Sequence, residues 1–208
     1  MRTVFDENYW NERYGQHGNI WSGNPNPQLL TETTNLPPGT ALDVGCGEGA
    51  DTVWLAGLGW QVTGVDISTV ALDRAAAHAS GLELPGSIAW EHHNLLEWAP
   101  RSAAFDLVSA QFMHLPKTDR DPLFARLADA VAPGGTLLLV GHSPHDVEAG
   151  VHRDFGADLF YTAQQLAEVL DASSWEIAVA EARPRTSAGH DGQTITIHDE
   201  VLRAVRRA

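Results

Sequence analysis

Seven residues, Asp43-Val44-Gly45-Cys46-Gly47-Glu48-Gly49, place glycine at every second position between acidic side chains. Glycines spaced in this way let a backbone turn tightly and approach a ligand with no Cβ in between. Further along, Val62-Thr63-Gly64-Val65 leads into Asp66, whose carboxylate can accept hydrogen bonds from ribose hydroxyls. A second group follows at Gln111-Phe112-Met113-His114. An imidazole with an ordinary pKa near 6.5 suits general base chemistry at neutral pH. The competing reading of His114 is a surface or helix-start histidine ahead of Pro116. His142-x-x-His145 suggests a metal, but no third ligand stands at a recognisable spacing and there is no cysteine partner, so no metal site is expected. Cys46, between two glycines, reads as a small buried residue and not as a nucleophile.

The elements that position these groups alternate. Thr40 to Val44 is a short apolar strand, and Ala50 to Leu58 is a helix stopped by Gly59. Gln61 to Val65 is a second strand. Ser68 is placed to cap a helix with Leu72, Ala75, Ala76 and Ala79 on one face. Ser87 to Glu91 and Phe105 to Phe112 are strands. Asp121-Pro122 opens a helix presenting Leu123, Leu127 and Val131 beside Phe124 and Ala128. Pro133-Gly134-Gly135 stops it before an apolar strand, Thr136 to Val140. Alternation of this kind implies a parallel sheet covered on both faces. Trp175 to Ala182 and Gln193 to Val201 are strands joined around Pro184 to Asp191. So short a link forces an antiparallel pair. The expected fold is α/β: a Rossmann-like open sheet, mostly parallel, with a C-terminal antiparallel hairpin and helices on both faces. The glycine loop then sits at the C-terminal edge of the sheet, where open α/β folds bind ligands. The irregular stretch from Gly141 to Phe160, with His142, His145, His152 and Phe155, leaves that same edge and reads as a wall of the acceptor side. Trp54, Trp60, Trp90, Trp98 and Trp175 read as packing residues, and Arg203, Arg206 and Arg207 as a solvated end.

Composition narrows the class. The 208 residues suit one domain. With 13 basic against 27 acidic residues, the formal charge is −14, which repels phosphate backbones and anionic membrane surfaces. The field favours cationic or neutral ligands. Cys46 is the sole cysteine, which excludes an internal disulfide and fits a reducing compartment. Met1 to Tyr14 lacks the basic start and apolar run of a signal peptide, and no stretch approaches the ~20 apolar residues of a membrane span. A cytoplasmic monomer or homodimer is expected, with no nucleic-acid or membrane partner.

Two cofactors fit the glycine loop. Gly45-x-Gly47-x-x-Ala50, with an acidic residue ~20 positions on, satisfies the dinucleotide fingerprint. A pyrophosphate, however, needs a helix N-terminus free of negative charge. Glu48 lies in the loop and Asp51 beside the helix start. S-adenosylmethionine has no phosphate and carries a sulfonium cation, so an acidic loop suits it. Here Asp43 to Gly49 resembles the D-x-G-x-G-x-G signature of class I S-adenosylmethionine-dependent methyltransferases. Gly64-Val65-Asp66-Ile67-Ser68, Phe105-Asp106-Leu107-Val108 and Pro133-Gly134-Gly135 resemble that family's later motifs, in order, over about residues 40 to 141. The opening Trp10-Asn11-Glu12-Arg13-Tyr14, followed by Trp21, is similar to that of thiopurine and tellurite-resistance methyltransferases.

The resemblance implies roles. Asp66 binds the ribose diol, and Ile67 and Leu95 sandwich the adenine. Asn94, usually Asp in the family, accepts from the adenine amino group. Asp43, Gly45, Cys46 and Gly47 belong to the cofactor loop, with Gly45 and Gly47 along the methionyl tail, and Gln111 faces the methionyl group. Arg13 or Trp21 comes near the methionyl end; the alternative is that the N-terminal aromatics only pack a capping helix. The implied division is a helical cap over 1–38, a cofactor core over 40–141, and an acceptor-side loop, helix and strands over 142–208. The expected reaction is methyl transfer to an O, S or N atom of a small molecule. A nicotinamide-dependent oxidoreductase and a non-catalytic S-adenosylmethionine binder are the alternatives.

Overall fold

The computed structural model describes residues 5–16, 23–148, 151, 156–188 and 193–208. Seven strands form one sheet: β1 (Thr40–Val44), β2 (Gln61–Asp66), β3 (Ser87–His92), β4 (Phe105–Gln111), β5 (Val131–His142), β6 (Trp175–Ala188) and β7 (Thr194–Arg206). Their order is β3-β2-β1-β4-β5-β7-β6. The first five pair in parallel, while β7 runs antiparallel to both β5 and β6. The α/β sheet with its C-terminal antiparallel hairpin is as the alternation of strand and helix patterns implied.

Alternation along the strands splits the core into two faces. Leu42, Val44, Val108, Ala110, Leu137 and Leu139 pack with Leu123, Phe124 and Leu127 of α5 (Lys117–Ala130) and Leu166 of α7 (Ala163–Ala167). Ala41, Val62, Leu107, Leu138 and Val140 pack with Leu55 and Ala56 of α3 (Ala50–Gly57) and Leu29 of α2 (Pro27–Thr33). Helices α1 (Glu7–Gln16) and α4 (Thr69–Ala79) touch each other beyond the β1–β2 half.

Several boundaries differ from the sequence expectation. Helix α5 starts at Lys117, not Asp121, and carries Pro122 inside it. Proline removes one helical hydrogen bond there, and the fully buried Leu123, Phe124 and Leu127 hold the helix in place regardless. Helix α5 ends at Ala130, and the strand already begins at Val131; Pro133-Gly134-Gly135 lies inside β5, where the pairing with β4 shifts register. The hairpin strands are longer than read: β6 runs through Pro184, which an edge strand tolerates because its outer side needs no ladder bond. On α4 the buried face is Ala71, Leu72 and Ala75, with Ala76 exposed; Ser68 caps it, its Oγ accepting from Ala71 N–H at 3.1 Å. The stretch after β5 holds a short helix, α6 (Pro144–Glu148), and a 3-10 turn (Ala157–Leu159), while His152 and Phe155 lie outside the described residues. Arg203 and Arg206 are not a solvated end. They belong to β7, where Arg203 pairs with Glu32 and Arg206 Nη1 donates to Asp129 O and Val131 O.

Candidate cofactor and acceptor site

One cavity of about 800 Å³ takes in the glycine loop, the ends of β2 and β4, and His142 at the end of β5. A pocket of this size suits a cofactor together with a small second ligand.

At the loop end, β1 and β2 run side by side, so Val44 lies opposite Val65. Gly45, Gly47 and Gly49 all adopt positive φ, at +69°, +53° and +82°, a region that favours glycine. A side chain at Gly45 would also come within 3.0 Å of the Met113 methyl, and one at Gly49 within 2.6 Å of the Trp90 ring. Asp66 ties this loop in place: Gly47 N–H donates to its Oδ2 (2.9 Å) and Ser68 N–H to its Oδ1 (2.8 Å). Each carboxylate oxygen keeps a second lone pair for a ligand. Asp43 is buried behind the loop and accepts from the Thr52 hydroxyl at 2.5 Å. Burial, then the neighbouring Asp51 and Asp66, push Asp43 up to about 8. Burial also raises Asp66 and Asp51. Cys46 is half-buried, and burial with Asp43 and Asp66 beside it pushes its thiol up, which opposes a nucleophilic role.

Glu48 is not the bare charge its position suggests. Arg74 Nη1 stands 2.9 Å from its Oε1, and the Glu48 side chain is 7% exposed. Asp51 likewise receives both the backbone and the side-chain amide of Asn26 at 2.7 Å. Asn11 Oδ1 accepts from Ser68 Oγ (2.7 Å) and Val70 N–H (3.3 Å). These two asparagines dock the N-terminal segment onto the starts of α3 and α4. Nothing in their sequence spacing points to it, because the partners lie 25 and 57 residues away.

Ile67, Asn94 and Leu95 line the cavity beyond Asp66. Asn94 Oδ1 accepts from Leu96 N–H at 3.1 Å, which uses one of its two lone pairs. Gln111 donates from Nε2 to Ser109 Oγ (2.9 Å), and its buried Oε1 has no partner among the described residues. Trp10 and Tyr14 of α1 line the cavity, whereas Arg13 does not; Arg13 Nη1 stands 3.4 Å from the Tyr9 hydroxyl. Trp21 lies outside the described residues.

At the other end, Phe112 takes φ +55°, a left-handed conformation costly for an aromatic residue. Its N–H donates to Val140 O at 2.7 Å, which holds the turn closed. The Phe112 ring centroid is 4.5 Å from that of His142, and His142 stacks on His114 at 5.1 Å and 12°. His114 is nearly buried, and its Nε2 accepts a long 3.4 Å hydrogen bond from His142 N–H. Tyr161 donates to Met113 O at 2.9 Å and fixes the backbone beside His114. Sequence reading placed Tyr161 just beyond the acceptor-side stretch without its support of Met113, and missed Arg185, on distant β6, as a wall of the cavity. No group of three or more potential metal ligands exists among the described residues.

Residues 41–135 match the family model of a methyltransferase domain. A probable thiol methyltransferase 2 of Arabidopsis thaliana is 27% identical over 202 residues, covering 91% of this chain and 86% of that protein. A trans-aconitate 2-methyltransferase of Sinorhizobium fredii is 34% identical over 118 residues, 55% of this chain but 43% of that protein. The solved structure concerning conversion of a disulfide bond into a thioacetal group during echinomycin biosynthesis has a TM-score of 0.77 at 22% identity, over 97% of this chain and 92% of that one. These matches decide between the two cofactors that the glycine loop admits, and the nicotinamide reading falls. An acidic loop, a ribose-ready Asp66 and an orphaned Gln111 oxygen fit a cationic adenosyl ligand. Residues 41–135 are thus a methyltransferase domain of the S-adenosylmethionine-dependent kind, and the cofactor is S-adenosylmethionine.

Proposed function

We propose that this enzyme methylates a small molecule at a sulfur, oxygen or nitrogen atom, within the single cavity that joins the glycine loop to the Gln111–His142 wall. The observation that carries this reading is that continuity: one cavity of about 800 Å³ has the cofactor loop at one end and a strained, aromatic-lined pocket at the other. In this reading 1–38 form a cap, 40–141 the cofactor core and 142–208 the acceptor side. Asp66 accepts from the ribose hydroxyls, and Ile67 and Leu95 enclose the adenine with Asn94 at its amino group. Asp43, Gly45, Cys46 and Gly47 surround the methionyl tail. Gln111 offers its unpartnered oxygen to the tail's ammonium.

S-adenosylmethionine supplies a methyl group already activated by its sulfonium. What the chain supplies is alignment and exclusion of water, and effective molarity can contribute roughly 7 to 11 kcal/mol to such a displacement. His114 takes the acceptor's proton at Nε2 when the nucleophile carries one, the long contact from His142 N–H giving way to it; a thiolate needs no such help. The names of the relatives support a small acceptor, one being a thiol methyltransferase and another acting on trans-aconitate. A strongly acidic surface speaks against nucleic acid. No helix among the described residues is long and apolar enough to cross a membrane. The test is titration with S-adenosylmethionine and S-adenosylhomocysteine, followed by transfer of labelled methyl to panels of thiols, phenols and carboxylic acids. Binding with turnover of one panel supports the reading, and tight binding with turnover of RNA alone overturns it.

A further inference from the structure

The surface is acidic, yet an arginine forms part of the cavity wall. Arg185 sits on β6 opposite Ile197 of β7. Its Nε donates to both oxygens of Asp199, at 3.0 and 2.8 Å. The Asp199 side chain is 1% exposed, and Gln28 Nε2 donates to it from the far side at 3.3 Å. His142 Nδ1 stands 4.0 Å from the same carboxylate. This anchoring holds the guanidinium at its Nε. The two terminal amino groups, Nη1 and Nη2, make no hydrogen bond among the described residues. Arg185 is 30% exposed, so its free end is not sealed in protein.

Two residues earlier on the same face, Arg183 provides a contrast. Its Nη1 binds Glu32 and Gln28, and its Nε binds Glu181, so both ends of that guanidinium are engaged by the protein. Arg185 is held at one end only. Its Cζ lies 5.8 Å from the Phe112 ring centroid, and Phe112 leads through His142 to His114. The unengaged end therefore belongs to the aromatic, acceptor side of the cavity and not to the glycine loop. Two parallel N–H groups on a rigid planar fork match the two oxygens of a carboxylate, a geometry that an ammonium cannot offer.

We infer that Arg185 receives a carboxylate of the methyl acceptor, making the substrate an acidic small molecule, and this rests on the methyl-transfer reading of the cavity. The experiment titrates the protein, saturated with S-adenosylhomocysteine, with benzoate and trans-cinnamate and with their uncharged primary amides. The acids should bind about tenfold or more tightly than the amides. Arg185→Gln should abolish that preference while leaving the affinity for S-adenosylhomocysteine unchanged. Arg185→Lys keeps a charge opposite Asp199 but no fork, so it should fold as the parent does and lose most of the preference. Equal binding of acid and amide by the parent chain, or a preference that survives both substitutions, overturns the inference. Failure of the methyl-transfer reading is seen separately, as absence of S-adenosylhomocysteine binding. In that case the acid and amide titrations are read on the unloaded chain against the same criteria.

Discussion

Replacing Asp43 with Asn removes one ionisable group behind the glycine loop while keeping its shape and an oxygen to accept from Thr52. In the folded chain Asp43 is raised to about 8, first by burial and then by Asp51; the Thr52 hydroxyl and backbone act the other way, and Asp66 adds to the rise. In the unfolded chain an aspartate titrates near 3.8. Between about pH 4 and pH 8 the folded state thus holds a proton that the unfolded state has released. Linkage then gives the sign: the unfolding free energy falls as pH rises, by at most about 1.4 kcal/mol per pH unit for one such group. The contribution is whole below about pH 4 and gone above about pH 8. From pH 5 to pH 7 the upper bound is about 3 kcal/mol, and Asp51 and Asp66, which are raised as well, share part of it. Urea unfolding of both chains without cofactor, at pH 5, 6, 7 and 8, measures the difference. Stability of the parent should fall relative to D43N by about 1 to 3 kcal/mol between pH 5 and pH 7. Parallel curves would show that Asp43 is already ionised at pH 5 and would refute the electrostatic account of the loop. The same proton bears on the cofactor. A sulfonium and an ammonium beside Asp43 favour the carboxylate, so binding below pH 8 should release up to one proton. Calorimetry in two buffers of different ionisation enthalpy reads that release, which D43N should lack.

Three further outcomes are expected. Asp66→Ala removes the proposed ribose acceptor and also the anchor of Gly47 and Ser68, so S-adenosylhomocysteine affinity should fall about tenfold or more in calorimetry; an unchanged affinity removes Asp66 from the site. His114→Ala should lower kcat for a hydroxyl acceptor far more than it changes cofactor affinity, and intact turnover excludes His114 as the base. Tyr161→Phe deletes the donor to Met113 O in a buried setting, so thermal unfolding should show a loss of about 1 kcal/mol, with a lower kcat because the backbone beside His114 loosens.

What could be read in the chain followed the range of the interactions involved. The glycine loop, Asp66 and the strand–helix alternation are local: three glycines in seven residues and strands of five or six are set by neighbours along the sequence. The Ser68 cap was legible for the same reason, since its partner is Ala71. The start of α5 was not, because a proline reads locally as a helix opening, while burial of Leu123, Phe124 and Leu127 against the sheet outweighs one lost hydrogen bond. The acceptor wall was the least legible part. Arg185 reaches Phe112 across 73 residues of sequence, and it does so only because β7 inserts between β5 and β6. On α1 it is Trp10 and Tyr14 that line the cavity, a difference from Arg13 that depends on how the helix is turned and not on the local sequence.

Net charge proved a poor guide to the site for a related reason. The excess of 27 acidic over 13 basic residues describes the field at a distance, where it acts on phosphate backbones and other large polyanions. Inside the cavity the balance is set by individual pairs, and these are distributed unevenly. Glu48, whose position argued for a cationic ligand, is met by Arg74, so the carboxylates left to meet a cation are Asp43, Asp51 and Asp66 behind it, of which Asp43 keeps its proton below about pH 8 until a cation arrives. Burial raises all three, Asp51 and Asp66 raise Asp43 further, and a cationic ligand offsets that cost. At the far end Asp199 is matched by Arg185, whose free amino groups present positive character to whatever enters. The cavity is therefore polarised along its length, acidic at the loop and basic at the β6 wall. If Arg185 receives a carboxylate as inferred above, the cofactor's sulfonium and the acceptor's carboxylate each find the opposite charge.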